Sequence, residues 1–230
     1  MPDAIPSDYD STPERFRTGA ESAYKFGQGD VHESVAARIL AERADPVLDV
    51  GAGEGRLFRL LVLGGASVIA LDRSRTMLSA FAGKRVLADA SVLPIRDGVF
   101  GAVAALYMLY HLPDPMAGLR EAYRVSRPGA LFGAATPSRF TDPEFADLFL
   151  RNPTPFDAEE APSLVGQVYA DVEVDTWDGP FLTLPDRSAV AEYLFGRGLD
   201  PERCSAVASK VETPMVVTRR GCVVWGRKDG

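Results

Sequence analysis

The chain has 230 residues, of which 46% are hydrophobic and 25% charged, a balance typical of a globular protein with one sizeable core. Its 25 Lys and Arg residues against 32 Asp and Glu give a net charge of -7, which argues against DNA or RNA as a partner. The longest apolar run, residues 99–109, is much shorter than the roughly 20 residues that cross a membrane, so no membrane partner is expected either.

The two cysteines are too few to stabilise a chain of this length by disulfides. Neither Cys204 nor Cys222 stands in a CxxC or Cys/His spacing that would indicate a zinc or redox site. The start of the chain is polar and Pro-rich and lacks the apolar segment of a signal peptide. These features predict a cytoplasmic protein.

Strand and helix patterns alternate between about residues 31 and 136. A capping-box pattern at Asp30 and Glu33 begins a helix that should run to about Ala44, and Pro46 ends it. The elements predicted after it are strand 47–50, helix 55–63, strand 68–71, helix 74–82, strand 86–88, strand 99–106, helix 115–125 and strand 130–136. Nearly continuous apolar strands joined by helices predict a parallel sheet that is covered on both faces.

The remainder of the chain has a weaker pattern. It predicts a helical stretch over 143–150, a strand over 172–177 and a helix over 186–197. Two further strands, 216–218 and 222–225, should flank a turn at Arg219-Arg220-Gly221 and form an antiparallel hairpin. We expect the whole chain, 1–230, to be a single domain.

The strongest local signal is VLDVGAGEG at 47–55, a strand that runs into a glycine-rich turn and then a helix. Glycines lack Cβ, so a ligand can lie against the main chain at the start of the helix. The spacing is GxGxG and differs from the GxGxxG of dinucleotide-binding proteins. A tight turn that binds nothing is the alternative interpretation of this segment alone.

Acidic residues follow the next two predicted strands. Asp72 closes the second strand, where a carboxylate can accept hydrogen bonds from both hydroxyls of a ribose. Asp89 follows the third strand, where a carboxylate can accept from the amine of adenine. Taken alone, either residue could be a helix cap or a solvated acid. Together with the glycine turn, they offer an ordered set of groups to one adenosine.

Residues 47–136 resemble the class I S-adenosylmethionine-dependent methyltransferases. The segments that carry the resemblance, in joint order and spacing, are DVGAGEG (49–55), LDRS (71–74), DA (89–90), LPIRDGVFGAV (93–103), LYHLPD (109–114) and EAYRVSRPGA (121–130). The resemblance implies a Rossmann-like, doubly wound α/β fold with a mostly parallel seven-stranded sheet, helices on both faces and strand order 3-2-1-4-5-7-6. It also implies an antiparallel terminal strand.

The resemblance also implies roles for individual residues. The methionine portion of S-adenosyl-L-methionine would be held by the side chain of Asp49 and by the backbone of Gly51, Ala52 and Gly53. The remaining implied cofactor contacts are the ribose at Asp72, the adenine at Asp89, Ala90 and Met77, and the methionine amino group at the main chain of Leu106 and Tyr107. Arg73 is a further implied cofactor contact. Met77 could equally be a core residue of its helix.

Methyl transfer needs alignment of donor and acceptor more than it needs a strong base. His111 is the candidate catalytic base, because it follows the fourth strand near the ligand-binding edge of the sheet. A structural role for His111 is an equal alternative. His32 could face the pocket, although a surface position at a helix N-terminus is favoured.

Under this interpretation residues 1–30 are an N-terminal lid, 31–137 the cofactor-binding half, and 138–230 the acceptor-side half with the C-terminal hairpin. No carboxylate follows the fourth strand, so no metal is expected. The expected reaction is direct methyl transfer to an O, N or C atom of a small-molecule acceptor by a monomer or homodimer. The alternatives are a non-catalytic S-adenosylmethionine-binding module and a nicotinamide-dependent reductase, although no tyrosine is followed by a lysine four residues later.

Overall fold

Seven strands form one sheet in the computed structural model of the chain, which describes residues 9–149 and 153–230. The strands are β1 (Val47–Val50), β2 (Val68–Asp72), β3 (Arg85–Leu87), β4 (Phe100–Leu106), β5 (Ser126–Pro137), β6 (Ala170–Leu184) and β7 (Met215–Arg227). Their order is β3-β2-β1-β4-β5-β7-β6. The pairs among β1 to β5 are parallel, and β7 is antiparallel to β5. The expected α/β fold and strand order are therefore confirmed.

Eight α-helices accompany the sheet within the described residues. They are α1 (Pro13–Phe26), α2 (Val31–Ala41), α3 (Arg56–Leu63), α4 (Arg75–Ser79), α5 (Pro115–Val125), α6 (Ala161–Val165), α7 (Arg187–Gly196) and α8 (Pro201–Ala208). In that same part of the chain no helix is both long and apolar enough to cross a bilayer.

The local sequence explains why these elements begin and end where they do. Every residue of β4 is buried, as expected for a central strand covered on both faces. Helix α5 begins at Pro115, which needs no hydrogen-bond acceptor for its nitrogen, and the Asp114 side chain accepts a hydrogen bond from the Met116 amide at 2.9 Å. Its buried face includes Leu119 and Val125, which anchor the helix to the sheet.

The described chain divides into two compact units. The sheet unit contains residues 31–139, 153–176 and 221–230, and the second unit contains the described parts of 1–30, 140–152 and 177–220. The second unit has its own apolar cluster, which includes Leu182, Val190 and Leu194. The single-domain organisation and the lid assignment of residues 1–30 stay predictions, and residues 1–8 lie outside the described residues.

The second unit also contains an ion-pair cluster around a buried carboxylate. Asp142 is 1% exposed, and its oxygens lie 2.8 Å from Arg197 Nε and 3.4 Å from Arg219 Nε. Burial opposes ionisation of Asp142, but these two guanidinium groups hold its pKa below the usual value. Through Asp142, the cluster connects Arg197, the residue that follows α7, with Arg219 in strand β7.

The predicted C-terminal hairpin is wrong, because residues 215–227 form one continuous strand. Arg219 and Arg220 suggested a turn, yet in the extended chain each has a carboxylate partner. Arg219 lies near Asp142, and Arg220 Nε lies 2.8 Å from Asp178. Gly221 continues the ladder opposite Pro137. These contacts outweigh the turn preference of the glycine.

Two other predicted elements differ from the structure. The helical stretch predicted for 143–150 is a single 3-10 turn, Pro143–Phe145, and Leu150 lies outside the described residues. The strand predicted for 172–177 belongs to the longer β6. Helix α1 was not predicted, because its sequence is polar.

Candidate functional site

The turn after β1 requires glycine at two positions for steric reasons. Gly51 has φ +68°, and a Cβ atom added to it would lie 2.5 Å from the Cβ of Met108. Gly55 has φ +78°, and a Cβ there would lie 2.7 Å from the Phe81 ring. Both values lie in the left-handed region, which glycine tolerates best. The turn is therefore as tight as its sequence predicts.

The amides of this turn are hydrogen-bonded to the neighbouring strand. Those of Gly51 and Ala52 donate to the Leu71 carbonyl at 2.7 and 3.0 Å, and that of Gly53 donates to Asp72 Oδ2 at 2.8 Å. These bonds fix the turn to the end of β2. A ligand would consequently meet the turn by close approach to its backbone, with the Gly51 and Ala52 amides already engaged.

Asp49 is a carboxylate inside the core of the sheet unit. It is 2% exposed, and its Oδ2 atom has no hydrogen-bond partner among the described residues. Burial raises its pKa to about 7, a bond from the Phe58 amide opposes that rise, and the charge of Asp72 adds to it. An unpartnered buried carboxylate oxygen is costly, so this atom is suited to a cationic or hydrogen-bond-donating ligand.

Asp72 lies at the end of β2 and is 9% exposed. Each of its oxygens accepts one backbone amide, Gly53 on Oδ2 and Ser74 on Oδ1, both at 2.8 Å. A carboxylate has about four acceptor positions, so Asp72 is a candidate acceptor for ligand hydroxyls. The Asp72 side chain is thereby held in a fixed orientation.

Helix α4 follows directly after Asp72. The Ser74 side chain accepts a hydrogen bond from the Met77 amide at 3.1 Å, which is the N-cap that the sequence predicts. Met77 is only 1% exposed, which favours its interpretation as a core residue of the helix. Arg73 is exposed beside this turn.

Asp89 follows β3 and is exposed, whereas Ala90 is buried. Asp89 Oδ1 accepts hydrogen bonds from the hydroxyl of Ser91 at 2.6 Å and from its amide at 2.8 Å. These bonds lower the pKa of Asp89, and the positive charge of Arg73 acts in the same direction. Asp89 is therefore an accessible, ionised hydrogen-bond acceptor.

Beyond Leu106, the last residue of β4, Tyr107 turns the chain. Tyr107 has φ +56°, and its amide donates to the Ala135 carbonyl at 2.8 Å. His111 ends a 3-10 turn, its amide donates to the Met108 carbonyl at 3.0 Å, and its ring lies 4.4 Å from that of Tyr110. Its proposed role as a base stays a prediction.

The sheet order brings the acidic positions to one edge. Strands β3, β2, β1 and β4 are consecutive neighbours and parallel, so their carboxyl ends lie side by side. A direct bond joins the glycine turn to Asp72, and a steric contact joins Gly51 to Met108 after β4. The glycine turn after β1 thus contacts both the end of β2 and the segment after β4.

His32 lies close to the end of β4. It is half-buried in the first turn of α2, the helix N-terminus that the sequence predicts, and its ring centroid lies 6.0 Å from that of Tyr107. Its orientation toward a pocket stays a prediction. The sequence offered no signal for this contact, because α2 and the end of β4 are far apart along the chain.

The fold and this edge of the sheet resemble those of the Rossmann-like, class I S-adenosylmethionine-dependent methyltransferases. A model of the methyltransferase domain family matches residues 48–133. The match includes the glycine turn and the acidic positions after β2 and β3. Over these residues the chain is similar to the methyltransferase domain family.

Curated relatives are demethylmenaquinone methyltransferases. That of Corynebacterium urealyticum is 35% identical over 65% of this chain and 63% of its own length. That of Clavibacter sepedonicus is 29% identical over 99% of this chain and 90% of its own length. The chain matches only 39% and 48% of the lengths of two relatives from Mycolicibacterium gilvum and Mycolicibacterium vanbaalenii.

Solved structures share the fold at low sequence identity. An S-adenosylmethionine-dependent methyltransferase from Archaeoglobus fulgidus has a TM-score of 0.59 and 16% identity, covering 91% of this chain and 98% of that one. At this identity the similarity concerns the fold alone.

Proposed function

We propose that this chain binds S-adenosylmethionine along the carboxyl ends of β1 to β4 and catalyses methyl transfer to a small-molecule acceptor. The observation that carries the proposal is the buried Oδ2 atom of Asp49, which lacks a partner among the described residues and lies in the strand before the glycine turn. The methionine portion of the cofactor carries an ammonium group, which is a donor of the required charge.

The other contacts follow the order of the strands. The tight turn at Gly51, Ala52 and Gly53 lets the methionine portion approach the main chain. The fixed carboxylate of Asp72 would accept from the two ribose hydroxyls. We further propose that adenine lies at Asp89 and Ala90 beside Arg73, and that the main chain of Leu106 and Tyr107 meets the amino group.

When bound, S-adenosylmethionine would supply a methyl group that the positive sulfonium has already activated. The chain then has to align the acceptor and exclude water, and this alignment contributes on the order of 7 to 11 kcal/mol to such reactions. We propose demethylmenaquinone as the first acceptor to test, because the curated relatives are named for it. Within the described residues no group of three His, Cys, Asp or Glu side chains is arranged to hold a metal.

Calorimetric titration with S-adenosylhomocysteine and, separately, with NADPH tests the cofactor. Binding of the first and not the second supports the proposal, and the reverse result would indicate a reductase. Transfer of tritiated methyl groups to a panel of acceptors that includes demethylmenaquinone then tests the reaction. Cofactor binding without transfer to any acceptor would indicate a non-catalytic binding module.

A pair of variants locates the cofactor on the structure. Asp72→Ala should weaken S-adenosylhomocysteine binding by about 1.5 to 3 kcal/mol, the range for hydrogen bonds to a charged group. Asp72→Asn retains one oxygen acceptor and should lose less. Glu212→Gln, which removes an exposed acid after α8, is the control. An unchanged dissociation constant in Asp72→Ala would remove this residue from the site.

A further inference from the structure

The chain leaves β4 through a strained residue. Tyr107 has φ +56°, a left-handed conformation that is uncommon for a bulky side chain. Its amide bond to Ala135 and the packing of Met108 against Gly51 hold the chain in this conformation. Such strain occurs most often at functional sites, so the conformation of Tyr107 indicates a functional role for this segment.

The Tyr107 ring lies next to a histidine. The His32 ring is 6.0 Å away between centroids, with the two ring planes inclined by 44°. His32 is half-buried in the first turn of α2, a helix anchored by the buried residues Val35, Ala36 and Ile39. The anchoring fixes the position of the imidazole against the end of β4.

The strand order indicates which end of the cofactor this histidine would face. From β3 to β4 the sheet has three strand spacings, a distance of about 14 Å. The proposed cofactor contacts run from adenine at β3, through ribose at β2, to methionine at β1. His32 adjoins β4, the strand farthest from the adenine contact. The imidazole therefore lies at the methyl-donor end.

We propose that His32, positioned by Tyr107, accepts the proton that the acceptor molecule loses during methyl transfer. An O–H or N–H bond of the acceptor breaks, the proton moves to an imidazole nitrogen, and the freed electron pair bonds the methyl carbon while the carbon–sulfur pair stays on sulfur. In the reduced, quinol form of a naphthoquinone the freed pair acts through the conjugated ring, and the hydrogen on the methylated ring carbon then leaves to solvent as a proton. This inference rests on the proposed function. Imidazole is suited to the role because it exchanges protons near neutral pH.

Other ionisable groups adjoin this position. Glu33 follows His32 on α2, and its carboxylate lies 3.7 Å from the Arg56 guanidinium at the start of α3. Tyr107 carries the phenol opposite the imidazole, and Asp49 is the buried acid of β1. Because Asp49 also changes its protonation near neutrality, any test must compare variants that all retain it.

Calorimetry with two ligands that differ by one charge provides such a test. S-adenosylmethionine carries a sulfonium, whereas S-adenosylhomocysteine carries a neutral sulfur. In the unmodified protein at low salt, lowering the pH from 8 to 5 should weaken binding of the charged ligand relative to the neutral one. The expected change in the ratio of dissociation constants is at least about threefold, the effect of two unit charges about 6 Å apart in bulk water.

The matched variants are His32→Gln and Glu33→Gln. The change in this ratio should be smaller in His32→Gln, where only the part due to Asp49 remains, and unaltered in Glu33→Gln. A ratio that responds to pH equally in all three proteins would overturn the inference while leaving the proposed function intact. Failure of S-adenosylhomocysteine to bind at any pH would refute the proposed function itself.

A kinetic measurement tests the proton transfer directly. With the acceptor that incorporates most label, His32→Gln should lower kcat by about 100-fold or more, as expected for loss of a general base. It should also abolish the decline in kcat on the acidic side of the pH profile, with little change in the dissociation constant for S-adenosylhomocysteine. An acidic decline that persists in His32→Gln would assign the proton to another group.

Discussion

Replacement of Asp49 by Asn should change how the stability of the protein depends on pH. Burial raises the pKa of Asp49 from 3.8 to about 7, so the folded protein without ligand holds a proton there that the unfolded chain has released. Stability is therefore lost as pH rises from about 4 to about 7, and it is constant above that range. With about 1.4 kcal/mol for each pKa unit, the loss between pH 5 and pH 8 is about 2 to 3 kcal/mol.

Urea unfolding followed by circular dichroism at pH 5, 6, 7 and 8 measures this effect. Asp49→Asn removes the titration, so the variant should not lose the stability that the unmodified protein loses as pH rises. Between pH 5 and pH 8 the free energy of unfolding of the variant, relative to that of the unmodified protein, should therefore rise by about 2 to 3 kcal/mol. The amide of asparagine adds a constant cost at every pH, so the comparison uses the slope with pH. Glu212→Gln controls for the loss of one negative charge. Parallel curves for Asp49→Asn and the unmodified protein would refute the reasoning.

Gly51→Ala should destabilise the protein by about 1 to 3 kcal/mol, because a Cβ at φ +68° would lie 2.5 Å from Met108. Thermal unfolding measures this, and Met108→Gly in the same chain, which removes the clashing Cβ, should recover part of the loss. A stable single variant would contradict the steric argument. Asp142→Ala should cost about 2 to 3 kcal/mol at pH 7, because it leaves the partly exposed Arg197 and Arg219 facing each other without a carboxylate. These arginines lower the pKa of Asp142, so their attraction to it is lost when the carboxylate is protonated. The difference in free energy of unfolding between the variant and the unmodified protein, measured with urea, should therefore shrink as pH falls below about 4. A difference that stays constant would argue against an ionic origin.

The first half of the fold was predictable because local signals and tertiary structure agree there. Strand β1 and helix α5 have the bounds that apolar runs, Pro46 and Pro115 predict. Helix α4 ends earlier than predicted, at Ser79, and Gly83 at φ +151° follows it. The positions of Asp72 and Asp89 after their strands also followed from sequence spacing.

The second half depended on contacts that the sequence does not show. Strand β7 continues through Arg219 and Arg220 because carboxylates far away in the sequence pair with both. The same reason explains the placement of His32, whose contact with Tyr107 depends on tertiary packing. Periodicity reports the local environment of a residue and cannot report such partners.

Asp72 is a poor position to change in attempts to make this protein accept enlarged cofactor analogues, because two backbone amides donate to its side chain. Because Asp72 shapes the glycine turn as well as offering oxygens to a ribose, a substitution that opens space there would also loosen the main chain around it. Asp89 is exposed, and its side chain accepts hydrogen bonds from the nearby Ser91. Redesign for bulkier nucleobases should therefore begin at the loop after β3, where side chains can be exchanged with little effect on the rest of the scaffold.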